Sequence, residues 1–455
     1  MKRRLAILFL TITLCALLAL PSCTPAGQSG ASSSASGASG SAAASSVGSS
    51  SPEAAAAVAY GSEPGYVQGV QEHDIIVANS AATTGLYAPV GAPFNAGIRA
   101  YFDKVNAADG IDGKRIRFQH IDDEFDADKS AAALKEFVED RQVFAIVGQF
   151  GTPVVTATAE TLKQYGIPAV YFASGTGRLY TEEAKDNATG YNLFPVQPLY
   201  HTEGGLMAAY ASARFGAKKI AILYTNDDFG MDLELGVVEE IERIEGLEYV
   251  EKQIATGTTD VAQAVLEIKD ADPDVIILAS MQLTLPAIVS GLVAQELHKP
   301  CLTSYVNAST ATSKTLEPLI RDKFEIYASG WIDYTSEQTA PAYAEYLEWI
   351  AKETPTGEDY SENTYAMAGW VAAHTFTEGL RRLEGREVTW ESYMAALTEA
   401  PILGPFGSVV DFAGGRRVGT QAMSLSRIVP VSEAFPKGWE LVEPLRSAES
   451  LLGVA

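Results

Sequence analysis

From residue 73 onward, short apolar runs alternate with longer stretches in which apolar residues recur every three or four positions. The short runs predict strands and the longer stretches predict helices. HDIIVANS, FAIVG, KKIAILYTND and PDVIILAS are of the first kind; GAPFNAGIRAYFDKVNAADG, which ends at Gly110, is of the second. Sequential strand–helix–strand units with continuously apolar strands indicate an α/β fold with parallel sheets flanked by helices.

Polar and small residues follow the ends of the predicted strands. They are Asn79 and Ser80, Gly148 and Gln149, Ala173 and Ser174, Thr225 to Asp228, and Ser280 to Gln282. In open parallel sheets, ligands bind at the carboxyl ends of the strands. We therefore expect a ligand site among these turns.

The beginning of the chain has the pattern of an export signal. Three basic residues at positions 2–4 precede a mostly apolar run at 5–20. This run is shorter than the roughly 20 apolar residues of a membrane-spanning helix. Residues 1–22 are therefore predicted to be a signal peptide.

A small residue and a cysteine, Ser22 and Cys23, close this segment. The arrangement resembles the bacterial lipobox, in which the cysteine carries the lipid. Lipidation of Cys23 would anchor the protein to the membrane on its extracytoplasmic side, because two or three acyl chains bind a bilayer stably. The alternative is an ordinary secretory signal with an incidental cysteine, which the unusual lipobox residue Pro21 favours.

The segment 23–65 is rich in Ser, Ala and Gly, and no aromatic or large aliphatic residue occurs in it before Val47. Such a sequence buries too little apolar surface to offset the entropy of ordering, which predicts a flexible tether. About 38 residues of this composition would span roughly 30–40 Å.

Length and charge limit the number of folds and partners that the remaining chain can have. About 390 of the 455 residues follow the tether, which is more than one domain with a single core usually contains, so two lobes are predicted. The formal charge is −24, and it is −27 from Cys23 onward because the signal carries three basic residues. Nucleic acid is excluded as a partner, since binding it requires Lys and Arg to neutralise phosphates.

The sequence contains none of the enzyme motifs that we sought. GxSxG, HExxH, P-loop and CxxC patterns do not occur, and the five histidines lack metal-ligand spacing. SGTGRLY lacks the third glycine of a dinucleotide-binding loop. We therefore expect no enzyme activity, no metal and no cofactor.

Three other features admit two interpretations. Asp122 with Asp123 is consistent with a cation site or, as we prefer, with capping after a strand. Asp227 with Asp228 is interpreted in the same way, as capping a helix. Cys301 follows a Val/Ile-rich stretch and is expected to be a small core residue rather than a reactive thiol.

Five segments in order carry a family resemblance across about residues 72–430. They are TTGLYAPVGAPFNAGIRAYFDKVNAADGIDGKRIRFQHIDDEFDADKSAAA, AIVGQFGTPVVTATAETLKQYGIPAVYFASGTGRL, KKIAILYTNDDFGMDL, PDVIILAS and ILGPFGSVVDF. Together they resemble the leucine/branched-chain amino-acid binding proteins of ABC importers, which have the type I periplasmic binding-protein fold.

The resemblance implies two lobes joined by a three-strand hinge that closes on a ligand. The crossovers are expected near Phe194 to Leu199, Ser329 to Tyr334 and Gly404 to Gly407. Lobe 1 would comprise residues 70–195 plus 333–404, and lobe 2 would comprise 196–332 plus 405–435.

The resemblance also implies the ligand-binding residues. Thr152 and the turn from Gln149 would hold a carboxylate, as would the next turn, although helix capping is an alternative role for Thr152 and Ser174. The second lobe would contribute three further side chains. The full predicted set is Thr152, Gln149, Ala173, Ser174, Thr176, Phe229, Met281 and Tyr305.

The second lobe departs from the family pattern. Phe229 stands where a tyrosine is common, and the segment Thr303 to Asn307 lacks the acidic residue that pairs with the ammonium group of an amino acid. An unpaired ammonium would be poorly compensated. A carboxylate, amide or aromatic acid is thus as good a candidate as an amino acid. Trp331 and Tyr334 would either stack on such a ligand or pack between the lobes.

The leading hypothesis is a monomeric solute-binding lipoprotein that delivers its small-molecule ligand to ABC permease subunits. The alternative is a sensory ectodomain of the same fold that signals through a partner receptor. Permease and ATPase genes beside this gene would favour transport.

The anchor prediction is tested by Cys23→Ser. We expect this substitution to move the protein entirely from the membrane fraction to the soluble fraction, because the acyl chains supply the membrane affinity. Immunoblots of the two fractions measure the distribution. Retention of the variant at the membrane would contradict lipid anchoring at this residue.

Overall fold

The computed structural model describes residues 61–63, 66–180, 190–281 and 283–453. The predicted signal peptide, the proposed lipid site Cys23 and nearly all of the tether lie outside the described residues. Within the described ranges, no helix has both the length and the apolar character that crossing a membrane requires.

The strands alternate with helices along the chain, as predicted. The strands are β1 (Ser62–Glu63), β2 (Tyr66–Val67), β3 (Asp74–Ala81), β4 (Arg115–Asp122), β5 (Ala145–Phe150), β6 (Ala169–Ala173), β7 (Leu193–Phe194), β8 (Lys219–Thr225), β9 (Glu248–Ile254), β10 (Val275–Ala279), β11 (Cys301–Thr303), β12 (Ile326–Gly330), β13 (Ile402–Leu403), β14 (Val409–Val410), β15 (Met423–Ile428) and β16 (Trp439–Arg446). The α-helices are α1 (Ala88–Ala107), α2 (Ala127–Lys135), α3 (Thr152–Tyr165), α4 (Tyr200–Ala213), α5 (Asp228–Arg243), α6 (Ala262–Ala271), α7 (Thr284–Ala294), α8 (Thr310–Ile320), α9 (Ala340–Glu353), α10 (Thr364–Arg381), α11 (Trp390–Thr398) and α12 (Ala448–Leu452).

Two large sheets organise these elements. The first sheet has five parallel strands in the order β4-β3-β5-β6-β7. The second sheet has the order β16-β15-β12-β11-β10-β8-β9. The five strands from β12 to β9 are parallel, and β15 is antiparallel to both of its neighbours, β12 and β16. The parallel strands of both sheets therefore follow one pattern, with chain order reversing beside β3 and beside β8.

The central strands are buried because helices cover both faces of each sheet. β5 and β10 are buried along their whole length, and β3 along all but its first residue. On the second sheet, α4 and α5 pack backbone to backbone: a Cβ at Gly236 would overlap the carbonyl oxygen of His201. Close packing fixes the start of α4, where the candidate site lies.

Most predicted elements are confirmed. Helix α2 is capped by Asp126, whose Oδ1 accepts hydrogen bonds from the N–H groups of Asp128 and Lys129 at 2.9 and 3.0 Å. The extended backbone of Asp126 orients its side chain toward those groups. Asp227 caps α5 as expected, through Gly230 N–H at 2.9 Å.

The chain passes between the sheets at 195–199, at 331–339 and again before β15. The third crossover is predicted at Gly404 to Gly407, and these residues lie in the turn of the short hairpin β13–β14. Phe406 and Val410 of this hairpin pack in the core of the first sheet. The chain then reaches β15 through residues 411–422. The boundaries of the lobes stay a prediction.

A buried guanidinium ties this last connection to the first sheet. The Arg417 side chain is fully buried, and its Cζ lies 4.3 Å from the ring centre of Phe194 and 4.9 Å from that of Tyr191. It donates a hydrogen bond to Tyr191 O at 2.6 Å. Burial lowers the pKa of Arg417 to about 10, so the side chain remains cationic at neutral pH and binds the two rings through cation–π contacts.

Two glycines of the connection 411–422 provide a matched test of its close approach to the connection 195–199. Gly414 and Gly419 both have positive φ, of 62° and 68°. A Cβ at Gly414 would meet nothing within 4 Å, whereas one at Gly419 would overlap the carbonyl oxygen of Gln197. We expect Gly414→Ala to reduce the free energy of unfolding by about 1 kcal/mol and Gly419→Ala to reduce it by about 2–4 kcal/mol. Equal losses in urea unfolding would contradict the close contact.

Candidate functional site

The topology identifies the crevice before any side chain is considered. Ligands of doubly wound sheets bind beside the strand where chain order reverses, outside the carboxyl ends. In the first sheet this position lies between the turns after β3 and β5, and in the second between those after β8 and β10. The predicted residues Thr152, Phe229 and Met281 all lie in or just after these turns.

A hydroxyl cluster lies at the start of α3. Thr152 Oγ1 is 3.0 Å from Ser174 Oγ and 3.0 Å from the Tyr200 hydroxyl oxygen. The N-cap of α3 is Gly151, so Thr152 is the first residue of the helix and its hydroxyl binds these two side chains. Capping of α3 by Thr152 is therefore wrong. Ser174 does brace its own turn, since its Oγ accepts a hydrogen bond from Thr176 N–H at 3.2 Å.

Aromatic rings surround the Tyr200 end of this cluster. The Phe229 ring meets the Tyr200 ring edge to face at 4.8 Å, and the Tyr305 ring stacks near it at 6.3 Å. Burial raises the pKa values of the Tyr200 and Tyr305 phenols. Both are neutral at pH 7 and can donate hydrogen bonds.

A glutamine links Tyr305 to the first sheet. The Gln197 amide donates to the Tyr305 hydroxyl oxygen at 2.8 Å, and Gln197 Oε1 accepts from the Tyr171 hydroxyl at 2.9 Å. Tyr171 has φ 64° in the middle of β6, opposite Gly148 with φ 82°, and the strand pairing skips this pair of residues. Such a backbone strains a tyrosine, and it places this side chain at the first connection.

A second aromatic pair lies near the start of α3. The rings of Tyr87, in the turn after β3, and Phe125, in the turn after β4, stack at 3.7 Å. Phe125 lies so close to Gly151 that a Cβ there would overlap its ring. Gly151 has φ 95°, so glycine meets both the conformational and the steric demand of this turn.

A buried carboxylate lies one helical turn after Tyr200. Glu203 is fully buried, and it accepts hydrogen bonds from Ser304 Oγ at 2.8 Å, from Tyr305 N–H at 2.8 Å and from Ser329 Oγ. Burial raises the pKa of Glu203 to about 7, and the three donors oppose that rise. The carboxyl thus holds the turn that carries Tyr305.

Further hydrogen bonds join the two sheets on either side of the cluster. Thr156 Oγ1 on α3 donates to Asp228 Oδ2 on α5 at 2.9 Å, and Gly177 N–H donates to Asp232 Oδ2 at 2.7 Å. Asp228 therefore contacts α3, and the prediction that it caps α5 is wrong. Burial raises the pKa of Asp232. These contacts hold the two faces of the crevice together.

Four predicted site residues do not join the hydroxyl cluster. Gln149 donates to Ser80 Oγ and Ser130 Oγ at 3.2 and 2.8 Å, which ties β5 to β3 and α2. The others support local structure. Ala173 O accepts from Gly151 N–H, Thr176 Oγ1 accepts from Arg178 N–H, and Met281 packs on the core of the second sheet. The structure therefore brings together Thr152, Ser174, Phe229 and Tyr305 of the predicted set.

Contacts show structural roles for three further residues that the sequence left with two interpretations. Asp122 braces loops, accepting from Thr83 N–H at 3.0 Å and Glu124 N–H at 3.1 Å, and the described residues contain no metal-binding cluster. Trp331 packs against the Tyr171 ring at 6.2 Å in the core of the first sheet. Cys301 is buried in the core of the second sheet, as expected.

Sequence reasoning missed Tyr200, Gln197 and Glu203. The first two lie in or beside a connection, where no periodic pattern marks them. Glu203 had a signal: it is the one charged residue in the stretch TEGGLMAAYASA, which is otherwise small or apolar. A helix that is apolar on all sides is buried, so an acid within it is buried as well.

The raised pKa of Glu203 makes stability depend on pH. Above pH 4.5 and up to about pH 7, the folded protein binds a proton that the unfolded chain releases, so the free energy of unfolding falls as pH rises through that window. We expect the wild-type protein to lose about 2–3 kcal/mol more than Glu203→Gln over this range in urea unfolding. Parallel curves for wild type and Glu203→Gln would contradict the assignment.

Curated relatives share part of the chain. An amino acid binding protein of Pseudomonas aeruginosa is 22% identical over 46% of this chain and 55% of the relative, and Leu/Ile/Val-binding protein homolog 1 of Brucella abortus is 23% identical over 50% and 57%. The chain thus spans little more than half the length of these relatives.

Solved structures share the fold over most of the chain. A fatty acid ABC transporter substrate-binding protein of Thermomonospora curvata has a TM-score of 0.69 and 18% identity, covering 85% of this chain and 95% of its own. A substrate-binding periplasmic protein of Ralstonia solanacearum has a TM-score of 0.64 and 24% identity, covering 81% of this chain and all of its own. The predicted fold, that of type I periplasmic binding proteins, is confirmed. The family model for periplasmic binding proteins matches residues 74–433, and the chain therefore belongs to that family.

Proposed function

We propose that this protein is the solute-binding component of an ABC importer and that it captures a small organic acid or amide between its two sheets. The observation that carries the proposal is the hydroxyl cluster of Thr152, Ser174 and Tyr200 at the start of α3. Its hydroxyls come from both sides of the crevice, so a ligand bound there touches both. No catalytic step is part of this function.

The chemistry of the cluster favours a carboxylate or amide oxygen. The N–H groups at the start of a 14-residue helix carry partial positive charge, and the neighbouring hydroxyls can donate hydrogen bonds to the same oxygen. The ligand oxygen would replace contacts that these hydroxyls now make with one another.

The second sheet disfavours an ammonium group. The only carboxylate bonded to the segment from Thr303 to Asn307 among the described residues is Glu203, and three donors already occupy it. An amino-acid ammonium placed beside this segment would find no unoccupied carboxylate there. The rings of Phe229 and Tyr305 suit an apolar or aromatic body instead.

Transport would require the crevice to close on the ligand and the closed protein to deliver it to the permease. We propose that the connections at 195–199, 331–339 and 411–422 form the hinge and that the contacts of Asp228 and Asp232 with the first sheet form on closure. The anchor at Cys23 would keep the closed protein, as a monomer, beside the permease subunits. The shared fold with the ABC transporter substrate-binding protein of Thermomonospora curvata supports this setting.

Thermal unfolding tests the ligand class. An organic acid or amide at about 100 times its Kd should raise the free energy of unfolding by about 2.7 kcal/mol. The screen compares matched pairs that differ in one group, such as phenylpropionate and phenylalanine. Stabilisation by the amino acid alone would contradict the proposed preference, and stabilisation by neither class across the screen would contradict solute binding.

Thr152→Val tests the binding role of the hydroxyl. It keeps the shape of the side chain and should weaken binding of a stabilising acid by about 1–3 kcal/mol in calorimetry. Thr158→Val is the control, because the Thr158 hydroxyl binds Val154 O within the same helix. Unchanged affinity in Thr152→Val would remove Thr152 from the site.

A further inference from the structure

Glu203 connects three parts of the molecule that meet at the crevice. It lies on α4, one turn after Tyr200, and it binds the Ser304–Tyr305 turn after β11 and Ser329 near the end of β12. β12 leads into the second connection between the sheets. One carboxyl group thus contacts both the Ser304–Tyr305 turn and the strand that leads into the second connection.

Hydrogen bonds alone compensate the charge of Glu203. Tyr200 on its own helix and Tyr305 on the facing turn are the titratable side chains that meet it, and both are neutral phenols. Several charged groups on or next to α4, α5 and the neighbouring β16 make contacts with other residues. They form the contacts His201 with Glu239, Arg243 with Glu240, Arg214 with Glu443, and Arg446 with Ser450.

Gain of a proton would change the Tyr305 turn. An ionised carboxylate accepts at both oxygens, whereas a protonated one must donate from one of them. Tyr305 N–H and Ser329 Oγ both contact Glu203 Oε1, whereas Ser304 Oγ is bonded to Oε2 and can accept a proton held there. Ser304 Oγ already accepts from Val306 N–H at 3.3 Å. A proton on Oε2 would therefore turn the Ser304 hydroxyl hydrogen away from Glu203 and change the hydrogen bonds of the turn that carries Tyr305.

We propose that Glu203 is a positioning residue of the ligand crevice, whose proton sets the placement of Tyr305 against Tyr200. The inference deepens the proposed function, on which its link to ligand binding rests. Because burial raises the pKa of Glu203 to about 7, the change falls near neutral pH. The crevice would then differ between mildly acidic and mildly alkaline surroundings.

Fluorine NMR tests the proposal without a ligand. The full chain carries 3-fluorotyrosine at position 305, and its resonance is followed between about pH 5.5 and 8.5. We expect the resonance to move with a midpoint near pH 7 in the wild type and to stay fixed in Glu203→Gln. Fluorotyrosine at Tyr393, whose hydroxyl binds Phe376 O in the core of the first sheet, is the control and should not move.

Ser329→Ala provides a second, milder variant. Loss of one donor to the carboxylate should raise the midpoint by about one pH unit, a tenfold change in proton affinity. A Tyr305 resonance that ignores pH in the wild type, one that still titrates in Glu203→Gln, or an unchanged midpoint in Ser329→Ala would each overturn the proposal. If the Tyr305 resonance titrates as expected but no compound in the ligand screen stabilises the protein, the proposed function is overturned and the role of Glu203 is not.

Discussion

The contact between Thr152 and Tyr200 is the interaction on which the candidate site depends. It joins the first helix residue after β5 to the first helix residue after the connection between the sheets. Because Tyr200 also contacts Phe229 and Tyr305, this one hydroxyl pair aligns the α3 start with the aromatic side of the crevice. A ligand oxygen that satisfies the same hydroxyls would bind only when both sides are near.

Buried polar groups impose the second constraint. Glu203, Gln197 and Tyr171 lie where water is excluded, so each must find partners within the protein. Tyr171 bonds Gln197, and Gln197 bonds the Tyr305 hydroxyl, so a chain of hydrogen bonds runs from β6 through the first connection to Tyr305. Glu203 accepts from the N–H of the same Tyr305. In the closure that we propose, this chain of hydrogen bonds would couple the two sides of the crevice to the local order of the first connection.

The sequence predicted the strand–helix alternation and the turns that carry the site because burial on both faces of a parallel sheet leaves a strong apolar signal. It placed Thr152 in the turn where the hydroxyl cluster lies. It also assigned Gln149 to the ligand, whereas Gln149 binds Ser80 and Ser130, because a polar residue at a strand end can face either the crevice or a neighbouring helix. Asp228 was assigned to capping because a contact with α3, distant in sequence, leaves no local trace. Tyr200 and Gln197 were missed for the same reason: their roles arise from how the connections pass between sheets.

The central claim is that the crevice holds a small organic acid or amide at the start of α3. Native mass spectrometry of the freshly purified protein tests it most directly, with Thr152→Val measured beside the wild type. We expect a bound small molecule that carries a carboxyl or amide group and no amine, with lower occupancy in the variant. A bound zwitterionic amino acid, held equally by both proteins, would contradict the claim.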